Sequence, residues 1–258
     1  MKRTLLLTAT LLVTGAGALP AQQATNDANP LYRYTSIRTG TIVVPAIEGA
    51  PFSATALIEN KQSMPDGSVA TSRDVNLIGR DSRGRTHGEM RPRVPESFRG
   101  MPPLSEVHLF DPQTRVKTIY YPATHIASLQ LQPGVPATGL SNPANHSDAS
   151  NPLVKIEDLG STTIDNLNVT GTRRTVTIPP AANGTGAALT VVDEYWYSED
   201  LHINLLLQHD DPRSGFQTVA LTNIKLEEPD QTFFEVPEGY KIVDMTPPRR
   251  ATASNSAR

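Results

Sequence analysis

The sequence predicts a mainly β protein, a single curved antiparallel sheet with few short helices. Three observations carry that expectation. Short runs with period-two hydrophobicity recur along the chain. Twenty-two prolines and seventeen glycines cut these runs into short elements. The stretch from Leu189 to Asp244 alternates regularly enough for its strands to be set against one another.

In that stretch, Leu201, Ile203, Leu205 and Leu207 alternate with His202, Asn204, Leu206 and Gln208, the pattern of a half-buried strand. The strand before it contains Val191-Val192-Asp193-Glu194-Tyr195-Trp196-Tyr197. A three-residue loop at Ser198-Glu199-Asp200 sets Tyr197 against Leu201, Tyr195 against Ile203 and Val191 against Leu207. The aliphatic and tyrosine side chains then share one face, with Asp193 beside Leu205. A slip of one residue would turn every side chain over. Val219 and Leu221 fall out of phase with Ile224 and Leu226, so a bulge is expected at Thr222-Asn223. Asp210-Asp211-Pro212-Arg213-Ser214-Gly215 is the turn between these strands.

The rest of the chain follows the same logic. Met1-Lys2-Arg3, the apolar Leu5 to Val13 and the small residues through Ala21 predict an export leader over 1–21. Residues 22–50 form an N-terminal segment, polar and partly disordered at its start. A single β domain is expected over 51–245. Within it, Pro51 to Asn60 and Val69 to Ile78 pair around Pro65-Asp66-Gly67. Arg85 to Met90 reads as a polar edge strand. Glu106 to Phe110 and Arg115 to Tyr121 pair around Asp111-Pro112-Gln113-Thr114. Residues 125–132 fit a strand or a short amphipathic helix. A Pro/Gly/Ser/Asn-rich connection over 133–152 is expected to be flexible. Leu153 to Ile164 and Leu167 to Pro179 form a hairpin around Asp165-Asn166, and 180–187 is a loop. Asp230 caps one helical turn carrying Phe233 and Phe234, Pro237 stops it, and Tyr240 to Val243 is a last strand. Residues 246–258 form a disordered tail.

The charge balance bounds the partners. The chain has 23 basic and 26 acidic residues; without Lys2 and Arg3 it has 21 against 26, a net of −5. Nucleic acid is therefore not expected as a partner. There is no cysteine, so an exported chain must rely on its core rather than on disulfides. No membrane span is expected once the leader is removed.

No catalytic, metal or cofactor site is expected. His209-Asp210-Asp211 carries metal-ligand residue types, but neighbours on a strand point apart, and the six histidines are scattered. There is no Gly-x-Ser-x-Gly, phosphate loop or dinucleotide fingerprint. Asp193 needs a partner on an apolar face, and Arg173 or Arg174 can supply it. Arg80, Arg83, Arg85, Arg91, Arg93 and Arg99 read as solvated edge residues that discourage sheet-to-sheet pairing, or else as a docking patch.

Glu157-Asp158-Leu159-Gly160, Gly171-Thr172-Arg173, Tyr195-Trp196-Tyr197-Ser198 and Asp211 to Gly215 resemble a group of uncharacterised exported bacterial proteins, and the likeness covers most of the chain. The ending Phe234-Glu235-Val236-Pro237-Glu238-Gly239-Tyr240 after a β meander resembles the wider LolA-like and RseB-like superfamily. That resemblance implies a half-open barrel whose concave face holds acyl chains or hydrophobic peptides. Few helices are available here to cover that face.

The expected function is non-enzymatic. The protein is periplasmic or secreted and binds a lipid or hydrophobic peptide in a cleft lined by Tyr195, Trp196, Tyr197, Ile203, Leu205 and Leu207. Two alternatives stay open. One is an interaction or sensor module that docks on an envelope protein through its sheet edge or arginine patch. The other is a hydrolase with an unrecognised site near Asp193 or His209.

Overall fold

The computed structural model describes residues 42–132 and 151–246. The expected leader, the segment 22–41, most of the 133–152 connection and the tail beyond 246 lie outside the described residues.

Among the described residues, thirteen strands form one sheet. In chain order they are β1 (Phe52–Ser63), β2 (Val69–Arg80), β3 (Thr86–Met90), β4 (Val94–Pro95), β5 (Glu106–Asp111), β6 (Val116–Tyr121) and β7 (Ile126–Leu131). After the connection come β8 (Val154–Ile164), β9 (Leu167–Ile178), β10 (Leu189–Ser198), β11 (Ile203–Asp211), β12 (Gly215–Lys225) and β13 (Lys241–Asp244). The spatial order is β13-β7-β6-β5-β3-β2-β1-β12-β11-β10-β9-β8, with β4 attached to β2. The sheet curves without closing, since β8 and β13 do not meet. Among the described residues, helix is confined to one turn, α1 (Pro180–Asn183), and a 3-10 turn at Gln231–Phe234.

Most of the short-range readings hold. Asp165 and Asn166 both adopt positive φ, as a two-residue hairpin turn requires. The bulge falls at Asn223, whose φ is 54°, and it shifts the β1–β12 register between Ser53 and Thr55. Asp230 caps the 3-10 turn by accepting from the backbone N–H of Thr232 at 2.8 Å. Residues 126–131 are a strand, paired to β6 on one side and β13 on the other. The β13–β7 pair is parallel. The segment from 226 to 240 crosses the sheet before β13 begins, long enough for a parallel return.

One feature of the sheet was invisible in the sequence: its buried face changes side between β2 and β3. Along β1 and β2 the buried residues include Phe52, Ala54, Ala56, Ile58, Ile78 and Arg80. The apolar ones share the main cluster with Leu205, Leu207, Val219 and Leu221. Gly79 pairs with His87, so His87 points to the other side, and from there Val107, Leu109, Tyr120 and Ala127 form a second cluster. The segment before β13 covers that cluster with Val236 and Tyr240. At the switch, Phe233 lies over Gly79 and stacks on His87 with ring centroids 3.7 Å apart.

Strand β3 is therefore inner, flanked by β2 and β5, and not an edge. That correction changes the reading of four of the six arginines, while Arg83 and Arg99 stay exposed. Arg80 is fully buried. Arg85 pairs with Asp81 at 2.6 Å, Arg91 with Glu89 at 2.9 Å and Arg93 with Asp74 at 3.1 Å. These side chains neutralise carboxylates on and beside inner strands, which a reading by local charge density cannot anticipate.

Candidate functional site

The expected site lies on β10 and β11, and its register differs from the expectation. Tyr195 pairs with Leu207, not Ile203, and Asp193 pairs with His209, not Leu205. The connection spans residues 199–202, with His202 at φ 54°, so Leu201 belongs to the turn and not to the strand. The change is an even number of residues, so Tyr195 and Leu207 stay on one face. Beyond it, a bulge between Trp196 and Tyr197 leaves Leu205 without an opposite residue and sets Tyr197 against Asn204.

Five of the six residues gather at the main cluster, mostly as core, and Tyr197 is buried outside it. Tyr197, Ile203, Leu205 and Leu207 are buried; Tyr195 and Trp196 are half-buried and pack against the main cluster. The Trp196 ring rests on Gly171, where an added Cβ would lie 2.6 Å from it. Burial, then the Asp193 charge, pushes the Tyr195 hydroxyl well above the usual phenol range. Burial and the Glu199 charge push Tyr197 up as well.

Part of the cover over this face is irregular chain. In the segment before β1, Ile42 is buried in the main cluster and Val44 packs against it. Arg80 holds that segment. Its guanidinium donates to the carbonyls of Pro45 at 3.0 Å, Ala50 at 2.7 Å and Leu201 at 2.9 Å. Burial lowers Arg80 to about 10, so it remains cationic at neutral pH.

A polar row runs across the same face. Arg174, Asp193, His209, Gln217 and Asn60 are consecutive cross-strand partners on β9, β10, β11, β12 and β1, and all five are buried. Arg174 donates to Asp193 at 3.1 Å, and His209 Nδ1 lies 2.6 Å from the other oxygen of that carboxylate. Gln217 donates to Asn60 at 2.8 Å. The row separates the main cluster from a smaller one formed by Val176, Ile178 and Val191. The Arg174–Asp193 pair was foreseeable, because an acid on an apolar face needs a cation. His209 as the second partner of Asp193 was missed, because the expected pairing set Leu205 beside Asp193. Asp210 points away from His209 and Asp211, and the described residues hold no metal-binding cluster.

The space beside the row is small. A void of about 10 Å³ is bounded by Asp193, Tyr195, Leu207, Gln208, His209, Gln217 and Val219. That is room for one water-sized group. A groove of about 460 Å³ lies on the opposite face of these strands, lined by Lys155, Arg173, Val192, Glu194, Asp210 and Phe216 among others.

No family model and no curated protein matches the chain. Among solved structures, the chain is similar to an uncharacterized conserved protein from Thermus thermophilus, with TM-score 0.38, 10% identity and coverage of 76% of this chain and 90% of that one. It is also similar to the MucA/MucB complex structure of Pseudomonas aeruginosa, with TM-score 0.36, 11% identity and coverage of 76% of this chain but only 59% of that one. A LolA superfamily protein from Nitrosomonas europaea is matched at TM-score 0.29 and 12% identity, over 74% of this chain and 92% of that one. These neighbours include the superfamily that the sequence resembles, and at such identities no residue role passes from them to this chain.

Proposed function

We propose that this is an exported, non-enzymatic protein that binds an acyl chain or hydrophobic peptide on the apolar face of β1, β12, β11 and β10. Tyr195, Trp196, Tyr197, Ile203, Leu205 and Leu207 form one side of that site. The observation that carries this reading is the cover. Irregular chain, tied to the sheet through Arg80, places Ile42 and Val44 on the apolar cluster. An apolar ligand can replace two aliphatic side chains without disturbing a single strand pairing. On this reading residues 1–21 direct export and are removed, and the protein works in the periplasm or outside the cell.

A hydrolase is the competing reading, because His209 and Asp193 do converge. The lining of their void carries no serine, threonine or cysteine, so no Ser–His or Cys–His pair forms there. The binding reading uses more of what the face offers.

Native mass spectrometry of protein purified from its own envelope is the test. The expected result is a co-purified lipid or peptide mass. Raised binding of the apolar dye Nile red is also expected when Ile42→Ser and Val44→Ser weaken the cover. Bare protein that binds no dye in either form would overturn the proposal.

A further inference from the structure

The two ends of the sheet are protected unequally. At one end, β13 offers only 4 residues. At the other, β8 runs for 11 residues, and among the described residues nothing pairs with its outer side. An open strand edge is a template for another strand, and proteins blunt it with like charges, proline, a bulge or shortness. β8 has one such device, the bulge between Asp158 and Gly160. Before that bulge, Val154 to Asp158 pairs with β9 in unbroken register.

The phase of the free edge follows from β9. Thr177 N–H donates to the Leu153 carbonyl at 2.8 Å, so these two residues form a hydrogen-bonded pair. Alternation then turns the backbone groups of Lys155 and Glu157 toward β9, and those of Val154, Ile156 and Asp158 outward. The Val154 N–H is taken by the Asn151 carbonyl at 3.0 Å. Ile156, in the middle of the run, is turned outward, and it is 38% exposed. Lys155 and Glu157 flank it on the other face of the sheet and bridge each other at 2.8 Å.

We propose that this edge pairs with a second copy of itself, antiparallel, about a two-fold axis through Ile156. Ile156 then faces its own copy as a hydrogen-bonded pair. Each Asp158 N–H reaches the Val154 carbonyl of the other copy, and each Lys155 faces the other copy's Glu157. Opposite charges spaced two residues apart about a central residue are self-complementary, as a two-fold contact requires. Neighbouring registers are worse. An axis through Lys155, Glu157 or Asp158 sets like charges against each other. An axis through Val154 sets Ile156 against Pro152, which has no N–H to give. The contact is small, so the association is weak and depends on concentration.

Disulfide trapping of the purified protein tests this, because the chain has no cysteine of its own. Hydrogen-bonded antiparallel partners have Cα atoms about 5.5 Å apart, within the range that a disulfide spans. Ile156→Cys is therefore expected to form a covalent dimer in oxidised glutathione. Thr162→Cys is the control, on the same strand and equally open to solvent. In the proposed pair Thr162 lies about 40 Å from its copy, at roughly 3.3 Å per residue. Ile156→Cys is expected to dimerise at least about tenfold faster than Thr162→Cys. Adding Lys155→Glu should slow it about tenfold, since attractive cross-strand pairs become repulsive. Adding Glu157→Lys as well should restore the rate, because the exchanged charges are complementary again. Equal rates at the two cysteines, as when another part of the same chain covers the edge, overturn the proposal. So does an Ile156→Cys rate that Lys155→Glu leaves unchanged.

Discussion

Arg80 Nη2 donates to the carbonyl oxygen of Leu201 at 2.9 Å, across 121 residues of chain. The same guanidinium also holds Pro45 and Ala50. One side chain therefore ties the irregular cover, the β1–β2 hairpin and the β10–β11 turn together. Replacement by methionine leaves these buried carbonyls without that donor, at a net of about 1 kcal/mol or more each. Arg80→Met is expected to cost about 3 kcal/mol in urea unfolding, read as a lower midpoint at unchanged slope. Arg80→Lys should recover little of it, since a point charge cannot reach several carbonyls as the planar fork does. A loss below about 1 kcal/mol would show that the cover is held by other means.

Trp196 is the only tryptophan, and its ring lies where a Cβ on Gly171 would have to go. The Leu159 Cβ is 2.9 Å from that same point, so the ring cannot simply slide aside. Gly171→Ala is expected to cost about 1–3 kcal/mol, the usual range for overpacking. Its tryptophan emission should shift to the red as the ring is displaced toward water. Unchanged emission and an unchanged midpoint would mean that Trp196 has somewhere else to pack.

Much of this architecture was legible because local chemistry decides it. Asp165-Asn166 and the run Asp210 to Gly215 each contain a turn, the second closing at the Asp211–Gly215 pair, and the change of phase after Leu221 marks the Asn223 bulge. The β10–β11 register was not legible. Leu201 continues the alternation of the strand but lies in the turn, and the Trp196–Tyr197 bulge has no signature in composition. The switch of buried face between β2 and β3 is equally silent, because it depends on which distant segment covers each side. His87 and Glu89 look like solvent-facing residues until the 3-10 turn is seen to lie over His87.

Asp193 receives both Arg174 and His209, so its carboxylate neutralises a buried region that has no other acid in the row. Asp193→Asn keeps the shape and removes the charge, taking from Arg174 its buried counter-ion. The expected cost is about 3–5 kcal/mol, as for one partner removed from a buried pair. His209→Gln should cost distinctly less, because Arg174 still holds the carboxylate. Urea unfolding of the two variants provides the comparison. Equal losses would mean that His209, and not Arg174, is the principal partner.

His87 gives the protein an acid limit. It is buried between Gly79 and the Phe233 ring, with Nδ1 against the Phe233 carbonyl. Burial lowers its pKa to about 4, although the Phe233 carbonyl and the Glu89 charge pull the other way. The sign follows from proton counting. Between about pH 6.5, where an unfolded histidine titrates, and about pH 4, the unfolded chain binds the proton and the folded chain does not. Stability from this group is complete above the upper value and is lost as the pH falls through the window, by on the order of 2–3 kcal/mol in all. His87→Phe keeps a ring against Phe233 and cannot be protonated. The wild type should lose stability to urea between about pH 6.5 and pH 4, and the variant should lose less over the same range. Parallel losses in the two proteins would place the acid sensitivity in the buried carboxylates instead, with His87 a bystander.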